Sequence, residues 1–253
     1  MSRTALVTGG TRGIGRAIAL ALAEDGAALV GVQYRGDGES AARTAELIEE
    51  RGARAVTIRA DFGTDTLDAV EATADAFLEE AQRTTGRREV DVLVNNAGIG
   101  EPQELGRIDA PTYHRVMDVN LTAPLFLIQR LAPSMGRNGR IVNISTGYTR
   151  VAAPSHPVYS ASKAALNALT LALAPAFGPR GVTVNAVMPG VVDTDMNAGW
   201  LGEPGARERA AGLSVFGRVG EAEDISALVR YLASPEAGWT TGQVIDATGG
   251  SAI

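Results

Sequence analysis

The chain has 253 residues, 45% of them hydrophobic and 21% charged, with a formal net charge of -6 and no cysteine. That length supports one substantial core, while the acidic balance and the lack of a long basic tract argue against nucleic acid or an anionic membrane surface and leave a small molecule as partner. Without cysteine there is no disulfide or thiolate, and His114 and His156 stand too far apart for a helical ligand pair, so no metal site is expected.

From Arg3 the chain passes straight into the apolar Ala5-Leu6-Val7 and a glycine-rich turn, too short a lead for a signal segment, and no later apolar run is long enough to span a bilayer. A cytoplasmic location is expected. Short β-rich runs recur at 4–8, 28–34, 55–60, 90–95, 140–145, 182–187 and 243–246, most of them continuously apolar, as strands buried on both faces are. Helix-like stretches separate them; in the first, Ile14, Ile18 and Leu22 with Ala17 and Ala21 make an apolar stripe at helical spacing. The alternation predicts right-handed βαβ units: one Rossmann-type, doubly wound α/β domain with a parallel sheet of about seven strands, helices on both faces and ligands outside the carboxyl ends of the strands. The irregular stretch 193–220 mixes Gly199, Gly202, Pro204 and Gly205 with Met196, Trp200 and Leu201, and is read as a substrate lid.

Chemistry-bearing residues fall at the ends of these strands. Thr8-Gly9-Gly10-Thr11-Arg12-Gly13-Ile14-Gly15 closes the first strand and opens the first helix. Glycines there allow positive φ and close backbone approach, and a helix N-terminus offers free N–H groups, a combination suited to a pyrophosphate. Asn95-Asn96-Ala97-Gly98 ends the fourth strand, and Ser145-Thr146 the fifth. Tyr159 and Lys163 lie one helical turn apart on one face, so the ammonium is expected to pull the phenol down from about 10 toward a working pH. His156, between Pro154 and Pro157, reads as a loop residue outside the chemistry, and His114 as an ordinary helix residue.

The TGxxxGxG spacing, NNAG at 95–98 and YxxxK at 159–163, together with Asn120, Pro189-Gly190 and Thr241-Gly242-Gln243, resemble the short-chain dehydrogenase/reductase family over essentially the whole chain. The resemblance implies a hydride-transferring oxidoreductase with Tyr159 as general acid/base. It also implies Lys163 on the nicotinamide ribose and Asn120 organising a proton path toward Lys163. The family's third catalytic position, usually a serine thirteen residues before the tyrosine, falls on Thr146; Ser145 sits one place early, where strand alternation turns it to the other face. The resemblance puts Asp61 and Phe62 beside the adenine, Asn96, Ala97 and Gly98 under the adenosine end, and Pro189, Gly190, Val192 and Thr194 at the nicotinamide carboxamide. Gly9, Thr11, Arg12, Gly13, Ile14 and Gly15 form the phosphate turn.

The end of the second strand selects between the two nicotinamide cofactors, because a carboxylate there repels a 2′-phosphate. Here it reads Gln33-Tyr34-Arg35, with Arg12 in the turn nearby, and this argues for NADP(H). Ile99, Tyr148, Val151, Pro154, Val191, Met196 and Trp200 suggest a mostly apolar pocket for a medium-sized ketone. The resemblance is nearest to 3-oxoacyl thioester reductases of the acyl-carrier type. Arg137 matches one carrier-docking position, whereas Pro175-Ala176 replaces the charged pair expected at the end of the Tyr159 helix, so carrier-bound and free substrates both stay open. A non-catalytic NADP-binding regulator is the alternative of another class. Family analogy implies a homotetramer built on the helices around 112–135 and 158–177.

Overall fold

A computed structural model describes residues 3–251. Strands β1 (Arg3–Thr8), β2 (Ala27–Tyr34), β3 (Arg54–Arg59), β4 (Val90–Asn95), β5 (Met135–Ile144), β6 (Thr183–Pro189) and β7 (Val244–Ala247) form one seven-stranded sheet in the order β3-β2-β1-β4-β5-β6-β7. Every pairing in it is parallel. The strand order reverses between β1 and β4, so the loops leaving those two strands diverge and open the crevice where such sheets take ligands.

Alternation along each strand feeds two cores. Val7, Val30 and Val32 face α1 (Gly13–Glu24), α2 (Gly38–Glu49) and α9 (Ala222–Ala233), meeting Ile18, Leu22, Ile48, Val229 and Leu232. Leu6, Leu29 and Leu93 face the opposite way, toward Phe77 and Leu78 of α3 (Thr66–Thr85), Leu127 of α5 (Ala123–Leu131) and Phe177 of α6 (Pro157–Phe177). A sheet covered on both faces explains why its strands read as unbroken apolar runs.

Two elements depart from the sequence reading. β5 starts at Met135 rather than 140: Met135 pairs with Val90, the register then jumps to Val92 with Arg140, and residues 136–139 bulge out with Asn138 at φ 60°. The expected long helix at 112–135 is broken into α4 (Ala110–Met117), a π-helical turn (Asp118–Thr122), α5 and a short 3-10 turn, and Met135 already belongs to β5. Pro124 accounts for the π turn. It has no N–H to give the Asn120 carbonyl, and the ladder widens, so that the Ala123 N–H bonds to the Asp118 carbonyl five residues back.

The 193–220 stretch is ordered, not irregular. It carries α7 (Asp195–Leu201) and α8 (Ala206–Ala211), folded over a small cluster of Leu201, Ala210 and Val219. Backbone hydrogen bonds from Asp193 to Gly220 (2.8 Å) and from Gly220 to Val191 (2.9 Å) close its base. Among the described residues no helix is long and apolar enough to cross a membrane.

Candidate active site

The loop after β1 enters α1 through Arg12, an extended N-cap residue with no side-chain cap, so the first-turn N–H groups of α1 keep no side-chain partner. Gly15 packs so closely under the turn that a Cβ would stand 2.2 Å from the Gly9 carbonyl oxygen. Thr11 is braced from below, its carbonyl accepting from Arg16 Nε (2.9 Å) and Thr44 Oγ1 (3.1 Å). The loop after β4 locks against this turn: Asn96 Nδ2 donates to the Thr8 and Gly9 carbonyls at 2.9 and 3.0 Å, and the N–H groups of Asn96 and Ala97 both donate to Thr8 Oγ1 at 3.0 Å. A shallow glycine cradle with free helix N–H groups fits a pyrophosphate-bearing ligand.

The other sequence-predicted binding residues lie at or just beyond the carboxyl ends of β2, β3, β4 and β6. Thr194, the N-cap of α7, reaches over the turn, and a Cβ on Gly13 would lie 3.2 Å from its methyl. Gly190 has no room for a side chain, since a Cβ would meet the Thr248 carbonyl oxygen at 2.7 Å. Val192 is buried and its carbonyl accepts from Asn197 Nδ2 at 2.8 Å. Asp61 Oδ1 accepts from the Gly63 N–H at 2.9 Å, while Phe62 turns its ring into the core and leaves only its backbone to a ligand. Tyr34 ends β2, and Arg35 stands exposed beyond it. Arg59 donates to the Arg35 carbonyl at 3.3 Å, a further guanidinium at the end of β2 that the sequence reading missed. Arg12 also lies 3.9 Å from Asp195, so a bound anion competes with that carboxylate.

The catalytic candidates converge where β5 meets α6. Thr146 and Ser145 part as strand alternation requires. Ser145 is buried with no hydrogen-bond partner for its hydroxyl, whereas Thr146 accepts from the Tyr148 N–H at 3.3 Å and stands close enough to the Tyr159 phenol to act on its pKa. Lys163 is 2% exposed and donates to the Ile144 carbonyl at 2.8 Å. Burial lowers its ammonium to about 8. Asn120, in the π turn, accepts from the Ile99 N–H and donates to the Ile99 carbonyl, both at 2.9 Å, and donates to Ser162 Oγ at 3.0 Å. Gly98 passes between them: a Cβ there would be 3.3 Å from Lys163 Nζ and 3.4 Å from Asn120 Oδ1.

One expectation reverses sign. Burial pushes the Tyr159 phenol above its ordinary value; the Thr146 hydroxyl pulls it back in part, and the neighbouring Tyr148 pushes it further up. Lys163 makes its hydrogen bond to the Ile144 carbonyl, and burial is the largest influence on the phenol. A raised phenol keeps its proton at neutral pH, ready to be given. His156, set aside on sequence, is in fact part of the surround: its ring lies 5.4 Å from Tyr148 and 6.3 Å from Tyr159, and Tyr148 meets Tyr159 edge-on at 6.3 Å. An aromatic residue eleven places before a suspected catalytic tyrosine was the available signal.

Arg137 does not border the site. It lies in the bulge at the start of β5, level with Val90 and Val92 at the amino end of β4, whereas Thr146 follows the carboxyl end of β5.

Residues 9–252 match the protein family described as enoyl-(acyl carrier protein) reductase. The 3-oxoacyl-[acyl-carrier-protein] reductase FabG of Staphylococcus aureus is 38% identical over 252 residues, covering 99% of this chain and 98% of the relative. Among solved structures, LugOII, a promiscuous reductase catalysing keto-reduction at C1 during lugdunomycin biosynthesis, aligns with a TM-score of 0.94 at 39% identity, over 100% of this chain and 99% of the other. The angucycline C-6 ketoreductase LanV, crystallised with bound NADP, aligns with a TM-score of 0.92 at 41% identity, over 98% and 95%.

Proposed function

The chain belongs to the short-chain dehydrogenase/reductase family, and from that premise we propose that it is an NADPH-dependent carbonyl reductase, acting on a ketone or, in reverse, a secondary alcohol. The observation that carries the reading is the convergence of Thr146, Tyr159, Lys163 and Asn120 at the carboxyl end of the sheet, beside a glycine cradle with free helix N–H groups. The dinucleotide, when bound, supplies the hydride. Gly9, Thr11, Arg12, Gly13, Ile14 and Gly15 hold its phosphates, Tyr34, Arg35, Asp61 and Phe62 its adenosine end, Asn96, Ala97 and Gly98 the floor, and Pro189, Gly190, Val192 and Thr194 its far end. NADPH is favoured over NADH because Gln33-Tyr34-Arg35 at the end of β2 carries no carboxylate, Arg35 follows the strand with Arg59 bonded to its carbonyl, and Arg12 stands in the glycine-rich turn.

Tyr159 gives its proton to the carbonyl oxygen as negative charge develops there, and its raised pKa keeps that proton in place at neutral pH. Thr146 donates a second hydrogen bond to the same oxygen. Lys163, buried yet charged below about 8, holds ligand hydroxyls and positive charge behind the phenol. Asn120 fixes the loop at Ile99 and, through Ser162, the first turn of α6, whose Tyr159 carbonyl accepts from Ser162 Oγ at 2.8 Å. The α7–α8 segment is the lid. The same site working on 3-oxoacyl thioesters is the second reading, favoured by the identity to FabG and weakened by the far placement of Arg137. A non-catalytic regulator has no need of the proton-handling set. We place the enzyme in the cytoplasm as a homotetramer, with the outer face of α6, where Ala161, Ala164, Ala168, Leu171 and Ala172 are exposed, as one contact.

Purified protein is to be assayed with NADPH and a ketone panel that includes a 3-oxoacyl thioester. Turnover of free ketones supports the first reading, turnover of the thioester alone supports the second, and tight NADPH binding without any turnover favours the regulator.

A further inference from the structure

Gln33, at the end of β2, is 3% exposed, and its amide is engaged at both ends. Oε1 accepts from the Gly9 N–H at 3.0 Å, and Nε2 donates to the Ala60 carbonyl at 2.6 Å. Its main-chain carbonyl accepts from the Gly10 N–H at 3.1 Å. Gly9 sits at φ 60° in a turn with no ladder of its own, and its two polar groups are held by two amides: the N–H by Gln33, the C=O by Asn96. Through Ala60, whose N–H donates to the Tyr34 carbonyl at 2.9 Å, Gln33 also fixes the start of the loop carrying Asp61 and Phe62.

We infer that Gln33 is a positioning residue for the dinucleotide, holding the glycine-rich turn and the loop after β3 in their binding shape before the ligand arrives. The inference rests on the dinucleotide reading of this site. An amide is needed because the position faces one donor and one acceptor at once. Methionine fills the space and offers neither, leaving a buried N–H and C=O unpaired, so that part of the binding energy goes into re-ordering the turn. Glutamate accepts from Gly9 but presents a second acceptor to the Ala60 carbonyl. Its carboxylate is therefore driven outward, toward the exposed end of β2 at Arg35, where it favours ribose hydroxyls and repels a 2′-phosphate.

The test is fluorescence titration of NADPH and NADH on wild type, Gln33→Met and Gln33→Glu, with the rise in Tm on adding each dinucleotide as a second readout. Gln33→Met weakens both dinucleotides by one common factor of about tenfold, the value of a hydrogen bond lost at a buried site. Its kcat at saturating NADPH stays within about twofold of wild type, as removal of uniform binding requires. Gln33→Glu shifts the affinity ratio toward NADH by about tenfold or more. Wild-type affinity in folded Gln33→Met, or an unchanged ratio in folded Gln33→Glu, overturns the inference; the glutamate variant decides if the methionine variant does not fold. Wild type that binds neither dinucleotide defeats the proposed function itself, whereas tight wild-type binding with an indifferent Gln33→Met defeats only the role of Gln33.

Discussion

The two banks of the crevice are built on opposite principles. On the cofactor bank, at the ends of β1, β2 and β4, polar side chains pin the backbone: Gln33 and Asn96 hold the glycine-rich turn, and Thr8 holds the loop after β4. On the substrate bank, α7 and α8 rest on a cluster of three buried side chains, and Met196, Trp200, Val215 and Phe216 are exposed at 60%, 38%, 66% and 72%. The first bank is over-determined and suits one invariant ligand. The second, the proposed lid, has little packing of its own and presents exposed apolar surface, the features of a low-stability element.

Substitutions on each bank should therefore fail differently. Tyr159→Phe, between the two, removes the proton donor and is expected to lower kcat by about a thousandfold while leaving NADPH affinity intact, measured by steady-state rates beside fluorescence titration. Thr146→Ala should cost about a hundredfold in kcat, the scale of one lost oxyanion donor, whereas Ser145→Ala should cost little; a dead Ser145→Ala beside an active Thr146→Ala would reverse the assignment. Arg35→Asp belongs to the cofactor bank alone. It should weaken NADPH by about ten- to a hundredfold and NADH far less, the worth of one charge-assisted hydrogen bond, and equal losses would blur the distinction between the banks.

The pH profile sharpens the same division. Lys163 loses its proton as pH rises through about 8, so kcat/KM for ketone reduction should be level through neutrality and fall above that point. The raised Tyr159 phenol, still protonated there, adds no earlier limb. A profile that climbs through pH 8 contradicts the account. The smallest effect is expected on the substrate bank: Leu201→Ala, which hollows the lid's cluster, should raise the ketone KM by about fivefold and leave NADPH affinity within about twofold, because such low-stability elements open locally.

The sequence shows the cofactor bank more clearly than the substrate bank, for physical reasons. Strands buried on both faces leave apolar runs such as Ala5-Leu6-Val7, and a position where a Cβ would stand 2.2 Å from the Gly9 carbonyl oxygen admits only glycine, as at Gly15. Thr146 was separable from Ser145 because strand alternation is a period of two. The start of β5 was hidden, since Gly136-Arg137-Asn138-Gly139 bulges and carries no apolar pattern. The π turn depends on one missing N–H at Pro124, and the inward turn of Gln33 on partners at Gly9 and Ala60, both settled only by tertiary structure. The sign of the Tyr159 shift is hidden from the sequence because spacing shows that Lys163 is near, not how far the fold desolvates the phenol. The helices of the 193–220 segment were obscured by its four glycine and proline residues between 199 and 205.

The most direct test of the central claim is the loss of NADPH absorbance when wild-type protein meets an apolar ketone, run beside Tyr159→Phe. The account predicts steady oxidation of NADPH with stoichiometric alcohol from the wild type and near-silence from the variant at equal NADPH affinity. Equal rates from the two proteins, or no alcohol from any ketone despite tight NADPH binding, would contradict it.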